Sequence, residues 1–141
     1  MWRLCQEPFA DLSGEGARRY GGRWNAPGRP LVYAASSPAL AVLEVRVHLD
    51  LPLELLPDDY VLVTIDLGDV PVEEVRSMPA SPQAFGDRWL GERRTSVLQV
   101  PSAIVPESCN LLFNPAHPAA AGVAIVQRRR FAFDPRLWRP A

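Results

Sequence analysis

The sequence contains no lysine: all fifteen of its basic residues are arginine. A biased genome composition accounts for such an absence, yet arginine also suits planar, bidentate contacts to anions, which lysine does not make. Two cysteines, Cys5 and Cys109, lie far apart and in no CxxC pattern, and there are only two histidines. That supply does not make a structural zinc site, and no metal is expected. No apolar run approaches membrane-spanning length, so no membrane association is expected. The opening "MWRLCQEPFADL" has no signal-peptide apolar region, and a reducing cytoplasm is the expected compartment. The net charge of −1 gives no overall pull toward nucleic acid or acidic lipid.

What is present is a single domain's worth of globular sequence. The 141 residues are 48% hydrophobic and 22% charged, enough to bury a real core, and 1–141 reads as one domain. Charge is uneven: residues 41–80 carry nine acids and two arginines, whereas 81–141 carry four acids and eight arginines. Fifteen prolines, about twice the usual share, cut the chain into short elements.

Glycine is concentrated in one place. The stretch "SGEGARRYGGRWNAPGRPLVYAASS" (13–37) sets Gly14, Gly16, Gly21, Gly22 and Gly28 around Arg23-Trp24-Asn25. Such density signals tight turns or close approach of main chain to a ligand. Two nucleotide motifs fail here. Gly16 and Gly21 have P-loop spacing, but Gly22-Arg23 follow where a lysine and a hydroxyl are required. Gly14-Glu15-Gly16 lacks the third glycine of a dinucleotide fingerprint, and "QEPFADL" upstream is not a convincing buried strand.

Strands are expected at 30–35, 60–67, 96–102, 122–127 and 129–134. Helices are expected at 37–49 and 81–95, each opening on a Ser-Pro pair in which serine caps and proline takes the first helical position. In the first helix Leu40, Leu43 and Val47 share a stripe, with Glu44 at its edge. Gly86 weakens the second. Without regular βαβ alternation, the fold class is α+β, with mixed sheets and short helices.

Several residues could carry chemistry. Arg23, embedded in glycine, is either a surface arginine or a clamp for phosphate or carboxylate. Trp24 and Asn25 beside it offer a stacking face and an amide. Glu44 is either a boundary residue reaching water or a carboxylate aimed into a cleft, stabilising positive charge or accepting a hydroxyl proton. Tyr33 is either core with its hydroxyl satisfied at the rim or a platform for an aromatic ring. In "VPSAIVPESCNLLFNPAHP" (100–118), Ser102, Asn110 and Asn114 interrupt apolar residues. Ser102 has no GxSxG context and is a poor nucleophile candidate. His117 is expected exposed, and His48 falls at a helix end where it can meet the last carbonyls; neither reads as a catalytic base from the sequence. "QRRRF" (127–131) reads as a solvated strand.

The blocks "GEGARRYGGRWNAPGRPLVYAASSPALAVLEV" and "RWLGERRTSVLQVPSAIVPESCNLLFNPAHP" together resemble the RES domain, in order from about Trp2 to Phe133. Near Cys109 the chain departs slightly, where the family more often has a charged or polar residue. The resemblance implies an ADP-ribosyltransferase-like fold and a toxin of a bacterial toxin–antitoxin pair that uses NAD+ as substrate. It carries the family's arginine onto Arg23, its tyrosine onto Tyr33, its glutamate onto Glu44 and its serine onto Ser102. Gly22, Trp24, Asn25 and Asn114 join these as expected substrate contacts. It further implies an Xre-type helix-turn-helix antitoxin, through which alone the pair would meet DNA.

Three functions stay open at this point. The first is cleavage of the nicotinamide–ribose bond with water or phosphate as acceptor, and the second is ADP-ribosyl transfer to a protein. Many arginine-directed transferases carry a second carboxylate two residues before the catalytic glutamate; that position here is Val42, which counts mildly against the transferase. The third, ranked last, is a non-catalytic module that binds nucleic acid through its arginines.

Overall fold

The computed structural model describes residues 1–139. Its frame is one seven-stranded mixed sheet of order β4-β5-β6-β2-β1-β3-β7. In chain order the elements are β1 (Trp2–Gln6), α1 (Glu15–Tyr20), β2 (Val32–Ala35), α2 (Pro38–His48), β3 (Tyr60–Asp66), β4 (Val72–Glu74), α3 (Pro82–Glu92), β5 (Val97–Pro101), β6 (Cys109–Phe113) and β7 (Ala124–Arg130). All neighbouring strands run antiparallel except β4 and β5, which α3 joins as a parallel crossover. This is the expected α+β architecture.

Both Ser-Pro signals open helices. Ser37 Oγ accepts from the Leu40 amide at 3.1 Å, and Ser81 Oγ accepts from the Ala84 amide at 3.2 Å. Each bond satisfies one of the amides that a helix start leaves unpaired.

Strand alternation divides the core between the two faces of the sheet. Val32, Ala34, Val61, Val63, Ile65, Leu111 and Phe113 pack on one face, under the loops that carry Ala10 and Val123. On the other face are two clusters. One gathers Trp24, Leu31, Trp89, Leu98, Val100 and Leu112 beneath α3. The second gathers Leu4, Ala35, Leu40, Ala41, Tyr60 and Leu62 beneath α2. Trp89 has no exposed surface, and its indole N–H is satisfied by Thr95 Oγ1 at 3.0 Å. With two separate clusters on that face, a gap is left over the middle of the sheet.

Some elements differ from expectation. Residues Trp2–Gln6 form an inner strand, paired with β3 along its whole length. Cys109–Phe113, which is not among the expected strands, is a strand between β2 and β5. The two strands expected at 122–127 and 129–134 are one, Ala124–Arg130, which follows β3 past a register shift at Thr64/Ile65. Its arginines are exposed, as a solvated strand requires. Val47 is 51% exposed, so the buried stripe of α2 does not extend to it. His117 is half-buried and structural: its Nε2 lies 3.0 Å from the Arg93 carbonyl, and Nδ1 accepts from the Ala119 amide at 2.9 Å.

Candidate active site

The gap is a cleft of about 750 Å³ lined by β1, β2, β6, α2 and the glycine-rich loop. That volume lies in the range of small-molecule sites. Among its lining residues are Arg3, Arg23, Tyr33, Glu44, His48 and Asn110.

The glycine-rich loop closes on itself at Gly22 and Asn25, which form an isolated antiparallel bridge. The Gly22 amide donates to the Asn25 carbonyl at 2.9 Å, and the Asn25 amide returns a longer bond at 3.4 Å. The two residues between them separate. Arg23 is exposed at the cleft, while Trp24 is only 3% exposed and meets Phe85 edge-on. Trp24 therefore gives the cleft part of its floor and not an open stacking face. From α3, Gln83 Nε2 donates to the Asn25 carbonyl at 3.3 Å, and Asp87 Oδ1 accepts from the Ala26 amide at 3.0 Å. The turn is pinned from behind.

Asn25 has no exposed surface. Its Nδ2 donates to the carbonyls of Ala17 and Ala26 at 2.9 and 3.2 Å, and its Oδ1 accepts from the Tyr33 hydroxyl at 2.6 Å. The amide expected to meet substrate is engaged in holding the loop. Asn114 likewise departs from expectation: it is 2% exposed and lies outside the cleft lining. Its Oδ1 accepts from the Ala116 amide at 3.0 Å, which shapes the turn after β6.

Tyr33 connects the loop to the sheet. Its hydroxyl donates to Asn25 and accepts from the Trp24 amide at 3.0 Å. Burial pushes the phenol up to about 12, so it stays protonated and neutral. A Cβ on Gly22 would come within 2.6 Å of that hydroxyl, so only glycine lets the loop lie this close. With its hydroxyl engaged, Tyr33 offers the cleft its ring.

Glu44 projects from α2 toward the strands opposite. Its Oε1 accepts from Ser102 Oγ at 2.7 Å and from Asn110 Nδ2 at 2.8 Å. Bonds of this kind hold a carboxylate in one orientation. Ser102 is 1% exposed, and its Oγ also accepts from the amides of Ile104 and Val105, each at 3.1 Å. The hydroxyl proton points at Glu44 while two amides occupy the lone pairs. Such a serine can orient Glu44; it is not free to attack.

Two lining residues were not singled out as site residues in the sequence. Arg3 stands on β1, with Nη1 donating to the Asp11 carbonyl at 2.9 Å. Nothing local marks an arginine two residues from the start of the chain; it reaches the cleft because β1 lies inside the sheet. Asn110 was noted only as a polar interruption. Strand alternation between Cys109 and Leu111 was the signal that it faces the α2 side, beside the buried Leu112. Among the described residues no group of three or more His, Cys, Asp or Glu could hold a metal ion, and no helix is long and apolar enough to cross a membrane.

A protein of Sphingobium sp. (strain YBL2) named Prs ADP-ribosylating toxin is 46% identical over 161 aligned positions, covering 100% of this chain and 98% of that protein. A protein of Pseudomonas putida named Toxin Res is 41% identical, covering 98% of this chain and 99% of its own length. The NAD(+) phosphorylase MbcT of Mycobacterium tuberculosis is 36% identical over 92 positions, 57% of this chain and 50% of that one. A crystal structure of the M. tuberculosis MbcT-MbcA toxin-antitoxin complex contains the same fold, with a TM-score of 0.75 and 24% identity over 96% of this chain and 84% of that one. The RES domain profile matches residues 1–134, nearly the whole sequence. This chain belongs to the RES domain family.

Proposed function

We propose that this chain cleaves the nicotinamide–ribose bond of NAD+, with water or phosphate as acceptor, and acts as the toxin of a toxin–antitoxin pair. The observation that carries this reading is the Glu44 carboxylate, held at the cleft by Ser102 and Asn110. The likeness to proteins named NAD(+) phosphorylase and ADP-ribosylating toxin supports it.

Departure of nicotinamide leaves positive charge on the ribose, as in glycoside cleavage. A carboxylate fixed beside that charge lowers the barrier because it needs no reorganisation during the reaction. Glu44 has this role, with its position maintained by Ser102 and Asn110. The Tyr33 ring stacks on nicotinamide. Arg23 and Arg3 bind pyrophosphate or ribose oxygens, where guanidinium geometry favours paired bonds. Gly22 lets the main chain approach the dinucleotide, and Trp24 and Asn25 support the loop from within.

A second reading is transfer of ADP-ribose to a protein, favoured by the full-length likeness to the Sphingobium toxin. The partner in either case is an antitoxin of the Xre helix-turn-helix type, covering the cleft mouth and carrying any contact with DNA. The site of action is the cytoplasm.

The test is to express the chain without its partner and follow intracellular NAD+ by mass spectrometry, while searching for proteins that gain an ADP-ribosyl mass. Falling NAD+ with no modified protein supports cleavage, and the products identify the acceptor. Stable NAD+ with one labelled protein supports the transferase. Stable NAD+ with no label counts against both.

A further inference from the structure

Cleavage at Glu44 leaves a second chemical need, for a group that takes the proton of the attacking oxygen. The titratable and charged groups lining the cleft are Arg3 and Cys5 on β1, Arg23 in the glycine-rich loop, Tyr33 on β2, and Glu44 and His48 on α2. A guanidinium offers donors and no acceptor, so neither arginine can take a proton. Burial raises the Cys5 thiol and drives Tyr33 up to about 12, so both stay protonated in the working range. Glu44 is engaged by Ser102 and Asn110 and faces the ribose in its own role. His48 is what remains.

Its position suits the task. His48 follows Glu44 by four residues within α2 (Pro38–His48), so their Cβ atoms lie on one face of the helix, about 5–6 Å apart. Both line the cleft, and His48 is exposed at its rim. Among the described residues, the side-chain hydrogen bonds of α2 belong to Glu44 and Arg46, with Ser37 capping its start, and none to His48. Val42, two residues before Glu44, lies about 200° round the helix from it and packs toward the cluster of Leu4, Ala35 and Leu62. A group that activates an acceptor therefore cannot come from two residues upstream on this helix. One turn downstream it can.

We propose that His48 is the general base for the acceptor, taking the proton of a neutral O–H nucleophile such as water; this rests on the NAD+-cleavage reading. The bond from ribose C1′ to the nicotinamide nitrogen breaks, and its electron pair neutralises the pyridinium. The acceptor oxygen bonds to C1′ and gives its proton to the imidazole, which later releases it to solvent. Phosphate dianion needs no such base, so His48 serves water attack and not phosphate attack.

The experiment compares purified wild type with His48→Gln and His48→Ala on NAD+, in phosphate-free buffer and with inorganic phosphate. The expected result in phosphate-free buffer is a roughly hundredfold fall in kcat with KM little changed. The acid limb of the wild-type kcat/KM profile is lost in both variants. Added imidazole restores part of the rate in His48→Ala, and the phosphate-dependent rate stays near wild type. A His48→Gln protein with wild-type kcat and an unchanged pH profile overturns the inference and leaves the cleavage reading standing. So does an equal loss with water and phosphate, since that marks a structural role. A wild-type protein that leaves NAD+ intact with every acceptor overturns the cleavage reading, and this inference with it.

Discussion

The carbonyl oxygen of Trp24 lies directly against the bare α-carbon of Gly86, so near that a Cβ there would sit 1.8 Å from it. At Gly86, α3 thus touches the glycine-rich loop through backbone, with no side chain between them at that point. Gly86 costs helix propensity and in return lets α3 hold the turn that presents Arg23. Gly86→Ala should therefore destabilise the protein by about 1–3 kcal/mol through overpacking, although alanine favours helix. Urea denaturation measures this. A variant as stable as wild type would mean that α3 and the loop can separate at little cost.

Tyr33 predicts a feature of alkaline stability. Its phenol titrates at about 12 in the folded protein, against about 10 in an unfolded chain. A raised value of this kind contributes stability that is fully present below pH ~10 and is lost as pH climbs toward about 12. The chain has no lysine to titrate in that window; burial also raises Tyr60 and Cys5 there. Denaturant midpoints at successive pH values should fall across the window less steeply in Tyr33→Phe than in wild type. Parallel slopes in the two proteins would contradict this assignment.

Ser102 and Glu44 should separate stability from activity. Glu44→Gln keeps an oxygen able to accept from Ser102 and Asn110 but removes the charge, so folding should be unaffected. Activity should fall on the order of a hundredfold or more, as when a preorganised electrostatic group is lost. Ser102→Ala leaves the part-buried amides of Ile104 and Val105 without their acceptor, at about 1–3 kcal/mol of stability, and should reduce activity less than Glu44→Gln does. Melting temperature and initial rate on the two variants decide the matter; a larger rate loss for Ser102→Ala would place direct chemistry at the serine.

Arg23 is exposed, so Arg23→Ala should leave the melting temperature unchanged while removing toxicity in cells. Arg3→Ala should weaken NAD+ binding in the same direction, measured as KM. If both variants keep wild-type KM, the anion-binding role of the cleft arginines is wrong.

Local signals made some of this legible. Ser-Pro at 37–38 and 81–82 marked two helices because capping and proline geometry act within one turn. The strand at Tyr60–Asp66 was visible from β-forming residues between acidic and glycine turns. The inner position of β1 was not legible, because its pairing with β3 joins Trp2 to Thr64 across the chain. Asn25 and Trp24 looked ligand-facing because polarity and an aromatic ring beside glycine suit a site. Their burial follows from a two-residue turn that sends neighbouring side chains opposite ways, and from Gly86, which sits more than sixty positions later. Glu44 was readable as a candidate, but its fixation by Asn110 required β6 to be recognised as a strand.

The most direct test of the central claim incubates purified wild type and Glu44→Gln with NAD+ and follows free nicotinamide by mass spectrometry. The account predicts release by wild type and at least a hundredfold slower release by the equally folded variant. Equal release by both proteins would contradict it, since the carboxylate held by Ser102 and Asn110 would then have no part in breaking the bond.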